Sequence, residues 1–405
     1  MSSSAIRVII AGSLIVAIAM GIRQAFGVFL APVSQDLETG RQVFGLAMAT
    51  QNLLWGLLSP FAGIFADRYG AVPVTIFGTL CYIAGLVLTT MVTGPIGLNL
   101  SLGLLIGIGL AASTYVTAFG AVGRVVDPAQ RSLALGIVTS LGSFGMFVAA
   151  PAAHAVLSVY GWVWAFMIMA GILVASLLAA PALATGKGKT QAGPSPVLDP
   201  TSQTALDAIR EAGRHSGYLL LTAGFFVCGF HVTFIGVHFV AHLTDSGLSG
   251  QIGSLSLALI GLFNIVGSFL FGQLGGTYSK KYMLSGIYLA RSVVILVFIL
   301  LPVTAFSSLA FAAAIGFLWL ATVPLTSGLV AQIFGVKHMS MLYGVVFASH
   351  QVGAFLGAWL GGYFYDTQGS YDAVWWASIV LGLVAALLHW PIADRPVARL
   401  QAATR

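Results

Sequence analysis

The sequence predicts an all-α membrane protein, with twelve transmembrane helices arranged as two pseudo-symmetric six-helix bundles. Three observations carry this. The 405-residue chain is 58% hydrophobic and only 7% charged, whereas a soluble domain carries about 25% charged residues; lipid must be its solvent. About 20 apolar residues cross a bilayer, and twelve such runs lie near residues 8–33, 43–66, 71–93, 97–123, 132–157, 161–185, 218–243, 251–276, 282–304, 307–332, 341–364 and 373–393. The last six runs repeat features of the first six at a nearly constant offset.

The first run follows Met1–Arg7 and has the outline of a secretory signal. Signal cores are only about 7–15 residues long, and here the apolar stretch continues through Phe29 and Leu30, so it reads as a retained first helix. Residues 1–185 then form the first bundle. Residues 186–217, with Lys187, Lys189, Asp199 and Asp207, read as a cytoplasmic linker with a short amphipathic helix at 205–212. Residues 218–405 form the second bundle. Cys81 and Cys228 fall in separate spans, a pattern that implies neither a disulfide framework nor a metal site. No cofactor and no catalytic motif is expected.

Charge sets the orientation. With both termini placed in the cytoplasm, the inner loops hold Arg7, Arg68, Arg124, Arg131, Lys187, Lys189, Arg210, Arg214, Lys280, Lys281, Lys337, Arg395, Arg399 and Arg405, fourteen of the 17 basic residues. The outer loops hold only Arg41. This is the positive-inside pattern. The net charge of +6 therefore reports topology, not a nucleic-acid partner. The expectation is a multi-pass protein of a bacterial inner membrane, acting as a monomer.

An offset of 208 residues aligns Arg23 with His231, Thr114 with Thr322, Gly120 with Gly328, Ser132 with Ser340, Gly136 with Gly344 and Gly145 with Gly353. Offsets of 209 and 211 align Gly63 with Gly272, and Tyr160 and Trp164 with Tyr371 and Trp375. Both halves start inside and both have six spans, so the repeat is parallel, with its axis along the membrane normal. Two such bundles can rock about a site at their interface.

Between spans two and three stands Gly63-Ile64-Phe65-Ala66-Asp67-Arg68-Tyr69-Gly70, and on this motif and the repeat the chain resembles the major facilitator superfamily. The resemblance implies that fold, with Asp67, Arg68 and Arg131 holding the cytoplasmic gate. The chain departs from the pattern after Gly70, where Ala71, Val72 and Pro73 replace basic positions, and in the second copy, where Gly276 stands for the acid. Within the superfamily, Gly21-Ile22-Arg23-Gln24-Ala25-Phe26-Gly27, Cys228-Gly229-Phe230-His231 and Ser349-His350-Gln351-Val352-Gly353 resemble bacterial members of the monocarboxylate porter group. Animal carriers of that group place an Asp and an Arg in span eight, where this chain has Asn264 and Ser268.

All eleven acidic residues fall in loops or at helix ends, so the interior holds arginines and histidines but no carboxylate. Charge at membrane depth is costly and points to function. A cation without a countercharge suits an anionic substrate, and a guanidinium grips a carboxylate through two parallel hydrogen bonds. Arg23 is the candidate carboxylate ligand; the alternative is snorkelling to the outer headgroups. His231 and His350 are candidates for substrate contact and proton coupling, or for neutral histidines bonded within the bundle. Arg291 either anchors structure, on carbonyls or on Asn264, or meets substrate. Asn52, Tyr115, Asn264, Trp319 and Gln351 complete the candidate lining.

The expected function is secondary active transport of small organic anions, a monocarboxylate:proton symport by alternating access. Two alternatives stay open: proton-driven efflux of hydrophobic compounds or lipopeptides, against which the missing membrane acid counts, and a membrane receptor that binds a solute without moving it.

Overall fold

The structure is a computed structural model that describes residues 2–184, 204–335 and 338–402. In the first half run α1 (Ser3–Asp36), α2 (Arg41–Tyr69), α3 (Ala71–Thr89), α4 (Pro95–Leu98) leading through a π-helical stretch (Asn99–Leu105) into α5 (Ile106–Ser113), α6 (Tyr115–Val125) and α7 (Pro128–Ala179). In the second half run α8 (Ala205–Arg214), α9 (Ser216–Asp245), α10 (Gly250–Thr277), α11 (Lys280–Leu300), α12 (Ala305–Phe317), α13 (Thr322–Phe334), α14 (Met339–Gln368), α15 (Asp372–His389) and α16 (Ala398–Ala402).

Ten segments of the described chain are long and apolar enough to cross a membrane. One of them, Ala134–Leu183, is 50 residues long and turns at Gly161, whose φ of +79° is open to glycine and strained for a side chain; it therefore supplies spans five and six. The long α2, interrupted by Gln51, Asn52 and Ser59, is not among the ten and makes the twelfth crossing. The outer surface is apolar: Phe306 is 83% exposed and Leu178 79% exposed, which water would penalise and lipid accepts.

Spans four and ten, read from the sequence as continuous, are each broken in the middle. Span four breaks at Thr114 (φ −116°, ψ −138°) between α5 and α6. Ser113 and Thr114 hydroxyls bond back to the carbonyls of Gly109 and Leu110 at 2.7 and 2.6 Å, the competition through which Ser and Thr loosen a helix. Span ten breaks between Phe317 and Thr322, the position equivalent to the first break. There Arg291 donates to the carbonyls of Leu318 and Trp319, the former at 2.6 Å, and Asn264 Oδ1 accepts from the Leu320 amide at 3.1 Å. Paired interruptions of this kind mark the binding region of transporter bundles.

Residues 186–203 of the expected linker lie outside the described residues. The amphipathic helix expected there is α8, capped by Thr204, whose hydroxyl donates to Asp207 at 2.6 Å; that bond and the Thr204 amide hold the Asp207 carboxyl below its ordinary range.

The halves meet along α1–α9, α2–α14 and α7–α10. Near the predicted outer end the backbones are almost in contact. A methyl added at Gly27 would come within 2.2 Å of Gly236 O, at Gly45 within 2.5 Å of Ala358 O, and at Gly261 within 2.8 Å of Phe147 N. Gly136 on α7 and its repeat partner Gly344 on α14, nearer the predicted inner end, have no described atom within 4 Å of a built Cβ.

Candidate substrate-binding site

Arg23 sits on α1 within the bundle, not at its lipid face. Its Nη2 donates to Asn52 Oδ1 at 2.6 Å, and its guanidinium lies 4.9 Å from the Trp55 ring centroid. Asn52 is oriented for this by its own Nδ2, which donates to Met48 O at 2.7 Å. Tyr82 and Tyr115 are the phenols in the field of Arg23; Tyr82 OH is fixed on Ala19 O at 3.3 Å. Arg23 Nε has no acceptor among the described residues. The sequence-predicted residues Arg23, Asn52 and Tyr115 therefore converge, with a donor to spare.

Trp55 carries this site across the interface. Its ring meets Phe347 edge to face at 6.1 Å, and Phe347 stacks on His350 at 5.6 Å. His350 Nδ1 lies 3.2 Å from Gln351 Oε1, which leaves Gln351 Nε2 buried without a described acceptor. Gln351 packs directly against α2 at Gly56. His350 and Gln351 thus stand on the opposite wall from Arg23.

The other candidates lie deeper in the second half. His231 Nε2 is 2.8 Å from Ser378 O, and its Nδ1 has no described partner. Asn264 links the halves through Nδ2 to Ser143 Oγ at 3.2 Å, while its Oδ1 holds the span-ten break. Trp319 is 2% exposed and offers its backbone carbonyl to Arg291. Arg291, 1% exposed, has two of its nitrogens on the break carbonyls and Nη1 without a described acceptor.

Of the residues read as an inner gate, Arg68 is exposed and lies over the Tyr69 ring, and the side chains of Asp67 and Arg131 lie outside the described residues. Arg124 donates to Ala66 O at 3.3 Å, a carbonyl in the last turn of α2, where a cation is favoured.

The sequence reading missed an ionic cluster at the opposite end. Arg41 Nη2 donates to Asp245 Oδ1 at 2.7 Å and Nη1 to Tyr371 OH at 2.8 Å. The Arg41 guanidinium lies 3.7 Å from the Tyr365 ring. Asp366 accepts from the backbone amides of Arg41 and Gln42 at 2.9 and 2.8 Å. A carboxylate of the second half thus caps the first turn of a helix in the first, where a negative charge is stabilised. Gly40 makes room, since a Cβ there would fall within 2.2 Å of Asp366. The signal was available: Arg41 is the lone basic residue of the predicted outer loops, and Asp245 and Asp366 end spans seven and eleven.

No group of three or more metal-ligating side chains occurs among the described residues, and Cys81 and Cys228 are both free thiols.

Comparison with known proteins agrees with this architecture. The family model described as Major Facilitator Superfamily matches residues 12–335. The chain is 26% identical over 385 residues to the uncharacterised MFS-type transporter YcxA of Bacillus subtilis, covering 93% of this chain and 92% of that protein. It is 27% identical over 373 residues to monocarboxylate transporter 13 of Rattus norvegicus, covering 88% and 81%. In fold it is similar to the crystal structure of a D-xylose-proton symporter, with TM-score 0.71 at 14% identity over 97% of this chain and 99% of that one. It is equally similar to a bacterial homologue of the human lysosomal transporter Spinster, captured inward-facing and occupied, at TM-score 0.71 and 16% identity over 98% and 99%. Twelve crossings in two parallel repeats, a polar site where the repeats meet and a family match over most of its length place this chain in the major facilitator superfamily, as a membrane transporter and not an enzyme.

Proposed function

We propose that this transporter carries small organic anions, specifically monocarboxylates, together with a proton. The single observation behind this reading is the Arg23 site: a guanidinium inside the bundle, oriented by Asn52 and Trp55, with a donor left over and no carboxylate partner among the described residues. An incoming carboxylate supplies the missing countercharge. Gln351 Nε2 on the facing wall donates to a second oxygen of the same solute, and the rings of Trp55 and Phe347 cover its apolar part. Relatives named monocarboxylate transporters support the substrate class.

Transport proceeds by alternating access. In this reading Arg41, Asp245 and Asp366 close the periplasmic side in one state, and the Asp67, Arg68 and Arg131 region closes the cytoplasmic side in the other. Both termini lie in the cytoplasm of a bacterial cell whose inner membrane holds the protein as a monomer. His350, beside Phe347 and Gln351, and His231, bonded to Ser378 O within the second half, are the candidate proton carriers.

Counterflow in proteoliposomes tests the substrate class. Vesicles preloaded with lactate, pyruvate or benzoate are expected to take up the labelled acid, and to take up neutral sugars or lipophilic cations no faster than empty-liposome controls. Exchange of cations with no exchange of any carboxylate contradicts the reading.

A further inference from the structure

The short helix between the two halves has three different sides. α8 is ten residues long and stands immediately before α9, the first crossing of the second half. It packs on α9 and α14, and Ala208 and Ala212, one turn apart, are its buried side. Leu206 and Ile209, three residues apart, point elsewhere and are 55% and 43% exposed; Gly213 continues their stripe and is exposed as well. Arg210 and Arg214, at four-residue steps from Leu206, run along the edge of that stripe and are also exposed.

The acids of α8 are committed elsewhere. Asp207 lies one turn from Arg210, but its Oδ2 accepts from the hydroxyl and the amide of Thr204, at 2.6 and 3.3 Å, and closes the capping box that starts the helix. Glu211 accepts from Arg399 Nε at 3.0 Å. Other bases at this end have partners: Lys280 donates to Gln332 Oε1 at 2.9 Å, and Lys281 to Ile392 O at 2.8 Å with Asp394 beside it. Neither Arg210 nor Arg214 forms an ion pair among the described residues.

Exposed aliphatic side chains beside arginines suit one setting. Water penalises the stripe, whereas the surface layer of a bilayer accepts it, and the arginine stems lie along acyl chains while their guanidiniums reach headgroup phosphates. The bilayer is at hand: Leu219, in the first turn of α9, is exposed as the other outward-facing apolar residues of the spans are.

We propose that α8 lies in the membrane surface, with Leu206 and Ile209 in the acyl region and Arg210 and Arg214 binding the headgroups of anionic phospholipids. A zwitterionic headgroup carries its own cation beside the phosphate; an anionic one leaves its charge for the guanidiniums. The sequence places α8 on the inner side, where anionic lipid attracts basic segments. The site is separate from Arg23, and the proposal goes beyond the transport reading: it stands whichever solute is carried.

Quenching by brominated lipid tests this in the full-length protein. Leu206→Cys on a Cys81→Ala/Cys228→Ser background carries a fluorescent label, and the labelled protein is placed in phosphatidylcholine vesicles that contain brominated phosphatidylcholine or brominated phosphatidylglycerol. Both lipids should quench the label, phosphatidylglycerol at a mole fraction about fivefold or more lower, and high salt should reduce that preference. Arg210→Gln/Arg214→Gln should abolish the preference while quenching by phosphatidylcholine remains. A label that neither lipid quenches shows the stripe facing water or another protein, and overturns the proposal. So does equal quenching by the two lipids before the arginines are changed, or a preference that survives their loss. Ile209→Cys repeats the measurement if the Leu206→Cys protein does not fold.

Discussion

Arg41 of the first half and Asp245 of the second form a bidentate ion pair, closed at 2.7 Å on one arm, which joins the two bundles at the end where their backbones are nearest. The pair is partly shielded, with side-chain exposures of 10% and 32%, and Tyr365 and Tyr371 cover it. It acts with the Asp366 cap on α2, so one end of the interface is held by charge, aromatic contact and helix capping together.

Loss of this latch should release the outer end. A hydrogen bond to a charged group is worth about 1.5–3 kcal/mol, so Arg41→Ala is expected to raise the population of the outer-open state by about tenfold or more. Spin labels at Thr39 and Ser246, one on each half, report it as a longer distance component. An unchanged distance distribution shows that the latch does not set the conformational balance.

Close backbone approach should be as important as charge. Gly27→Val places a branched side chain where even a methyl would meet Gly236 O at 2.2 Å, and overpacking of this kind costs about 1–3 kcal/mol. The variant is expected to populate the outer-open state, or to lose thermal stability where it cannot open. Gly171→Ala is the control: nothing lies within 4 Å of its added Cβ, and removing a helical glycine should be neutral or stabilising by up to about 1 kcal/mol. Equal behaviour of the two variants contradicts the close-approach explanation.

Arg291 clamps the break in span ten. Arg291→Met leaves the Leu318 and Trp319 carbonyls buried and unbonded, at about 1–3 kcal/mol for each. A thermal unfolding scan in detergent should show a clearly lowered midpoint, with Arg291→Lys between the two because a point charge reaches fewer acceptors than a fork. A midpoint equal to wild type for Arg291→Met removes the clamp.

The fold was legible because its causes are local: apolar runs of bilayer length, loops biased by charge, and a repeat held to offsets of 208–211. Arg23 and Asn52 both read as lining residues, on spans one and two, and the structure brings them into contact. The breaks in spans four and ten were not legible, because Ser113, Thr114 and the Leu318–Ala321 stretch fit an apolar helix pattern and only tertiary bonds reveal the interruption. Arg291 had been weighed between anchoring and ligand contact, and only coordinates show which carbonyls its nitrogens meet. The Arg41 cluster escaped notice for a related reason. Helix-end residues 325 positions apart, as Arg41 and Asp366 are, become partners only once the halves dock.

The central claim is that the guanidinium of Arg23 holds the carboxylate of the transported solute, and uptake of labelled carboxylates by proteoliposomes measures it most directly. Arg23→Ala should reduce uptake of every transported acid by about 10–100-fold, as expected for loss of a charged hydrogen-bonding pair, while the protein still unfolds cooperatively near the wild-type temperature; Arg23→Lys should recover part of the rate. Wild-type carboxylate uptake by a folded Arg23→Ala protein would contradict it.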